Sequence, residues 1–429
     1  MHWPRDAEAL RLRALEAQKA GDLSLASRLF QQLLDLSPND PQILNTLGII
    51  CLQRGEVQLS CDYHRRAVAA DAHASVLLVN LAKAQRAAND DAGELDSLDK
   101  ALNLDPRDVT ALTRRAQLYE RRGKGLEACR DWRALLALTG GNQNYTPEFE
   151  EILRHARTSI AEQHKQYESY INDNMEECLA DLSKLQRRRA SAFMDVYFGR
   201  RSVYVNRCAA FYFPFIPADE FFPEEYFPWF ATIAENWQSV LEEFTRLEAD
   251  GLNDFEPYVS FPQAIPDNLW TKLNHSKRWN TLHLWRYGRR NENACQACPQ
   301  TVKLLESLPL AHLADRAPSA FFSILAPRTH IPPHTGVTNA RTIIHLPLVV
   351  PQNCSFRVGG ETRQWVEGQP FAFDDTIEHE AWNNSDSPRA VLIFDVWNPH
   401  LSPEEILFLQ RFFEVSAELG VHPDNGHDW

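Results

Sequence analysis

Apolar and polar positions follow three different rhythms along the chain. In the first third, turn-forming residues return every 34 positions at Gly21, Gly55, Asn89 and Gly123, and Pro38, Ala72, Pro106 and Gly140 follow in the same phase. Between them a small residue precedes a large one on one helical face, as in Ala26 with Phe30, Ser60 with His64 and Ala128 with Trp132. This spacing predicts pairs of antiparallel helices. From about Glu148 to Phe193 apolar residues return every three or four positions without Gly or Pro, the rhythm of a long amphipathic helix. Arg187, Arg188 and Arg189 read there as a solvated helix end. At Ala209 the text turns to AAFYFPFIPADEFFPEEYFPWF, too rich in proline for a long helix and suited to an extended segment that buries its aromatics. A helix is expected over 231–247, and from Trp285 a polar loop leads into another helix. Then short β-rich runs (AFFSIL, TIIHLPLVV, SFRVGG, RQWVEG, PFAFDD, EAWNN, AVLIFDVW) alternate with Gly or Pro turns, the signature of an antiparallel sandwich or barrel.

The 34-residue unit resembles the tetratricopeptide repeat, and four units imply about eight helices. The third unit departs from the pattern, with Glu94 where a small residue is expected. The concave face of such an array serves a protein or peptide, or acts as a dimerisation or docking element. The expected architecture is an α+β multidomain chain. An all-α tetratricopeptide solenoid occupies 1–140, a helical connector 141–208, and a double-stranded β-helix of the cupin-like jelly-roll type 209–429.

Composition narrows the function. With 429 residues and a formal net charge of −14, the chain lacks the basic surface that sequence-independent nucleic-acid binding requires. The N-terminal text shows no signal-like apolar stretch and no run approaches a membrane span, so a cytoplasmic protein is expected. Eight cysteines are too sparse for a disulfide scaffold. Cys295 and Cys298 form a single C-x-x-C without a second pair, which favours free thiols over zinc.

The chemistry gathers between His330 and Pro399. His334 and His379 each stand beside a strand-like run, and Arg389 follows ten residues after the second. Two imidazoles suit a mononuclear iron, and a guanidinium suits the carboxylate of 2-oxoglutarate. His330 and His283 read as structural, and Asp374 as a turn residue. Arg289, Arg290, Asn291 and Asn293 either line a substrate groove or bond a loop onto the barrel. Ser402, Pro403 and Glu405 open a C-terminal helix with a capping box, and the tail VHPDNGHDW reads as flexible.

GRRNENAC, HTGVTN, FDDTIEHEAWN and LIFDVWNP together resemble the aspartyl/asparaginyl β-hydroxylase family of iron(II)- and 2-oxoglutarate-dependent dioxygenases, over roughly 215–403. The resemblance implies iron on His334 and His379, with O2 as the oxidant. It implies 2-oxoglutarate held by Ser323 and Arg389, with His345 and Arg341 nearby. Gly336 stands where related enzymes place a third, carboxylate ligand, and Asp375, four residues before His379, is a candidate acceptor for a water there. Ile343 replaces an arginine of the animal members. The implied activity is hydroxylation of the β-carbon of Asp or Asn in a protein or peptide. A small-molecule or acyl-chain hydroxylase and a non-catalytic scaffold are the alternatives.

Overall fold

Each residue of the 34-position turn series adopts the left-handed backbone, with φ of 79° at Gly21, 80° at Gly55, 56° at Asn89 and 67° at Gly123. Glycine and asparagine are the residues that reach this region at least cost, which explains their recurrence. In the computed structural model, which describes residues 5–141, 144–251, 255–262 and 266–418, they join the helices of four pairs. These are α1 (Arg5–Lys19) with α2 (Leu23–Leu36), α3 (Pro41–Gln53) with α4 (Val57–Ala70), α5 (Ser75–Ala87) with α6 (Asp91–Leu104), and α7 (Val109–Arg121) with α8 (Gly125–Thr139). Asp22, Asp40, Asp90 and Asp108 cap α2, α3, α6 and α7 by accepting first-turn N–H groups. The result is a helical repeat region resembling tetratricopeptide proteins.

The small and large partners of this pattern are buried together. Ala26, Phe30, Ala128 and Trp132 all lie in the core. His64 takes the large position in the second pair, its ring 2.7 Å from where a Cβ on Gly48 would stand. Burial lowers its pKa to about 4, so a neutral imidazole fills the space an aromatic ring would. Glu94, the departure in the third pair, is buried and accepts from Arg121 at 2.6 Å. A paired carboxylate there replaces the small residue.

The chain divides into two compact units, Met1–Cys178 and Leu179–Trp429. The helical stretch expected across 141–208 contributes to both. It forms α9 (Pro147–Ala180) and α10 (Lys184–Tyr197) instead of one helix, because Ser183 and Gln186 build a capping box that starts a new one. Arg187 donates to the carbonyls of Leu179 and Ala180 at the end of α9. Arg188 bonds Glu361 and the carbonyl of Phe221, so it is a packing cation of the C-terminal unit and not a solvated helix end.

In that unit, α11 (Phe230–Ala249), α12 (Glu292–Ala297) and α13 (Pro299–Glu306) accompany eleven strands among the described residues. These are β1 (Glu256–Pro257), β2 (Trp279–Arg286), β3 (Arg289–Arg290), β4 (Ala320–Leu325), β5 (Thr329–His334), β6 (Arg341–Val349), β7 (Cys354–Val358), β8 (Glu361–Gln364), β9 (Phe371–Phe373), β10 (His379–Asn383) and β11 (Arg389–Trp397). The larger sheet runs β1-β2-β4-β11-β6-β9, with β3 beside β2, and the smaller runs β5-β10-β7-β8. All pairings are antiparallel. Strand alternation then decides what each side chain meets. Ala390, Leu392, Phe394 and Val396 of β11 join Phe322, Ile344 and Leu346 in a core with Ile233, Val240 and Phe244 of α11. The intervening Arg389, Ile393 and Asp395 face a cavity on the other side of the sheet. Beside it, Leu325, Val391 and Phe373 pack against Ile331, Phe356 and Ala381 of the smaller sheet.

After β11, Ser402 and Glu405 form the expected capping box of α14 (Pro403–Glu418). The tail expected to be flexible lies outside the described residues. Cys295 and Cys298 are buried free thiols. None of the helices among the described residues is long and apolar enough to cross a membrane.

Candidate active site

His334 ends β5 and His379 begins β10, and these strands pair so that the two histidines stand directly opposite each other. Their ring centroids are 4.1 Å apart. Nδ1 of His334 lies 2.8 Å from the carbonyl of Pro332, and Nδ1 of His379 lies 3.0 Å from that of Ile377. A carbonyl only accepts, so each Nδ1 carries the proton and each Nε2 keeps its lone pair. Burial lowers the pKa of His334 to about 4 and that of His379 well below its ordinary value. Both rings are therefore neutral near pH 7, the form that ligates metals.

At Gly336, a Cβ would lie 2.0 Å from Oδ2 of Asp375, and the Gly336 N–H donates to the Asp375 carbonyl at 2.6 Å. The Asp375 carboxyl thus occupies the room that a side chain at 336 would need. Burial chiefly, and Asp374 beside it, raise the Asp375 pKa to about 8. Between pH 4 and 8 the folded protein keeps a proton that the unfolded chain has released, so this group makes stability fall as pH rises through that window. Asp374, raised to about 6 by burial, adds to the lower part of it. Melts of the metal-free protein should show this decline, and Asp375→Asn should flatten it; an unchanged slope would remove Asp375 as its cause.

The same cavity holds a buried cation. Arg389 is 2% exposed, its Nη1 has no hydrogen-bond partner, and no carboxylate pairs with it among the described residues. Its guanidinium carbon lies 4.1 Å over the Trp365 ring, and burial lowers its pKa to about 9. Ser323 accepts the indole N–H of Trp279 at 3.0 Å, which leaves its own hydroxyl proton to donate elsewhere. His345 stands among Phe356, Trp365, Phe371 and Phe373 with ring centroids 4.9–5.4 Å away, and its Nδ1 is also unpartnered. Burial and Arg389 together hold His345 neutral. Arg341 reaches the same cavity, but Asp395 and the carbonyl of Arg316 take up its Nη1.

One cavity of about 1350 Å³, open mouth included, is thus lined by Ser323, His334, Arg341, His345, His379 and Arg389. Gly336, Ile343 and Asp375 line it as well. His330 lies apart, stacked on Trp382 and bonded to Glu380. Asp374 shapes the turn before β10 through Thr376 and Asn206. Asn291 caps α12, and Arg289 and Arg290 pair with Asp315 and Glu306, so that loop is bonded in place. His283, expected as purely structural, faces the cavity because it alternates with Leu282 and Leu284 on β2. Trp279, Trp365 and Asp395 went unrecognised in the sequence. Only Asp395 left a mark there, an acid inside the otherwise apolar run AVLIFDVW.

Fold and cavity define an antiparallel β-domain built around a cavity in which a buried guanidinium shares the walls with two neutral histidines. A family model described as aspartyl/asparaginyl beta-hydroxylase matches residues 234–399. The chain is 33% identical over 212 residues to the ornithine lipid ester-linked acyl 2-hydroxylase of Rhizobium tropici, covering 47% of this chain and 70% of that protein. It is 45% identical over 134 residues to the human aspartyl/asparaginyl beta-hydroxylase, covering 31% of this chain and only 18% of the human protein. The crystal structure of MamA protein is similar over 41% of this chain and 96% of its own, at 15% identity and a TM-score of 0.32, a likeness too slight to carry an argument. The chain belongs to the aspartyl/asparaginyl beta-hydroxylase family, a family of hydroxylases.

Proposed function

We propose that the C-terminal unit is a double-stranded β-helix hydroxylase that uses iron(II), 2-oxoglutarate and O2. The observation that carries this reading is Arg389, a buried guanidinium without a counter-charge among the described residues, in one cavity with two neutral histidines whose Nε2 atoms are free to ligate. A buried cation left unpaired costs several kcal/mol, so the site is built for an anion that completes it. His334 and His379 suit iron(II), and Arg389 and Ser323 suit the distal carboxylate of 2-oxoglutarate. When bound, iron and 2-oxoglutarate supply the oxidant that converts C–H to C–OH, with release of succinate and CO2. The protein's own part is to fix the imidazole tautomers through Pro332 and Ile377, to brace Arg389 on Trp365, and to orient the Ser323 hydroxyl through Trp279.

By analogy with the human relative, the target is the β-carbon of an Asp or Asn residue in a protein or peptide docked by the helical repeats. An acyl chain is the second reading. The apolar Ile343 in the cavity wall and the likeness to a lipid acyl hydroxylase favour it. Iron(II) and 2-oxoglutarate added without oxygen are expected to produce a weak visible charge-transfer band; folded protein that shows none would sink the reading.

A further inference from the structure

The charged side chains that line the cavity, among the described residues, are Glu256, Arg286, Arg341, Asp375, Arg389 and Asp395. Arg389 serves the co-substrate. Arg341 is a second cation of the cavity, and it is paired with an acid. Its Nη1 is held by Oδ2 of Asp395 and by the Arg316 carbonyl, while Oδ1 of Asp395 accepts the Ser319 N–H at 3.0 Å. The side chains of the pair are 12% and 2% exposed, so solvent does little to loosen them. Asp375 packs against Gly336, two residues past His334. The wall beside the pair is apolar. Ile343 stands directly across from Asp395 in the β6–β11 ladder, and Ile393 directly across from His345. Arg286 sits at the exposed end of β2, two strands away from β11.

A substrate carboxylate brought beside the histidines would therefore meet the Asp395 carboxylate, an aliphatic wall and a guanidinium whose charge that carboxylate already pairs. Removing such a group from water without a partner is costly, whereas an amide or a methylene chain loses far less. We propose that Ile343 and the Arg341–Asp395 pair set substrate specificity, selecting a reacting methylene with no carboxylate beside it, amide-bearing or alkyl, over an aspartyl one. The proposal rests on the hydroxylase reading and narrows it.

The test uses the full chain with zinc(II) and 2-oxoglutarate, and ligand-observed NMR titration of three probes: N-acetyl-aspartic acid α-amide, N-acetyl-asparagine amide and methyl hexanoate. The asparagine or the hexanoate probe should bind at least about tenfold more tightly than the aspartate probe, a modest value for a buried polar mismatch. Which of the two binds identifies the source of the methylene. Ile343→Arg adds a cation and Asp395→Asn releases Arg341, so each should tighten the aspartate probe; the second substitution is nearly isosteric and guards against misfolding of the first. Equal or tighter binding of the aspartate probe by the unaltered chain overturns the proposal, as does failure of any probe to bind. Discrimination that neither variant moves removes Ile343 and Asp395 from the role. If 2-oxoglutarate itself does not bind, the hydroxylase reading fails first and this proposal with it.

Discussion

His379→Ala is expected to lower succinate formation by a factor on the order of 10³ or more, given that even groups behind a metal ligand are each worth about 10–100-fold. The site has two histidines, held opposite each other by one strand pair, and among the described residues no third His, Cys, Asp or Glu joins them in a metal-sized group. Loss of one therefore leaves a single side-chain ligand. His379 is also buried against Phe356 and Phe373, so truncation opens a hole costing about 2–4 kcal/mol in the C-terminal unit. That cost is separable from the chemistry. The helices of the repeat unit should melt as before, and added imidazole should restore part of the turnover by refilling the hole with the missing ligand. Undiminished turnover in the variant would take His379 out of the metal site.

Arg389→Met should act in opposite directions on stability and binding. In the ligand-free protein the guanidinium is buried without a counter-charge, and apolar replacements of buried ionic groups stabilise by about 1–4 kcal/mol. Methionine also keeps a flexible side chain over Trp365, so packing is largely preserved. The melting temperature of the C-terminal unit should therefore rise while 2-oxoglutarate binding is lost. The unaltered protein should be stabilised by 2-oxoglutarate, by about 2.7 kcal/mol at a hundred times its Kd, and the variant should show no such gain. Melts with and without 2-oxoglutarate check both halves. A destabilised variant that still binds would mean that Arg389 is an ordinary structural cation.

Much of the helical unit was legible because its determinants are local. A left-handed turn needs Gly or Asn wherever it falls, so Gly21, Gly55, Asn89 and Gly123 announce the period directly. The short β-rich runs were legible for a similar reason. The strand Trp279–Arg286 was missed, since WNTLHLWR sits next to a polar loop and lacks the Gly and Pro punctuation of the others. The histidines and Arg389 stood out by residue type, yet that Arg389 lies buried over Trp365 without a counter-charge among the described residues depends on how distant segments of the chain pack around it. The packing of Asp375 into the room beside Gly336 is likewise a matter of two turns meeting. Trp279 and Trp365 look like core aromatics in sequence, and only strand pairing puts one against Ser323 and the other beneath Arg389.

His334 stands on β5, the border strand of the smaller sheet, whose only neighbour among the described residues is β10. Such a border normally offers a row of free N–H groups to any passing chain, the starting point of edge-to-edge aggregation. Pro332 and Pro333 have no N–H to offer, and they fall immediately before His334. The same two residues that make THIPPH a poor strand by propensity thus let a histidine occupy a margin of the sheet that is unattractive to another β-strand.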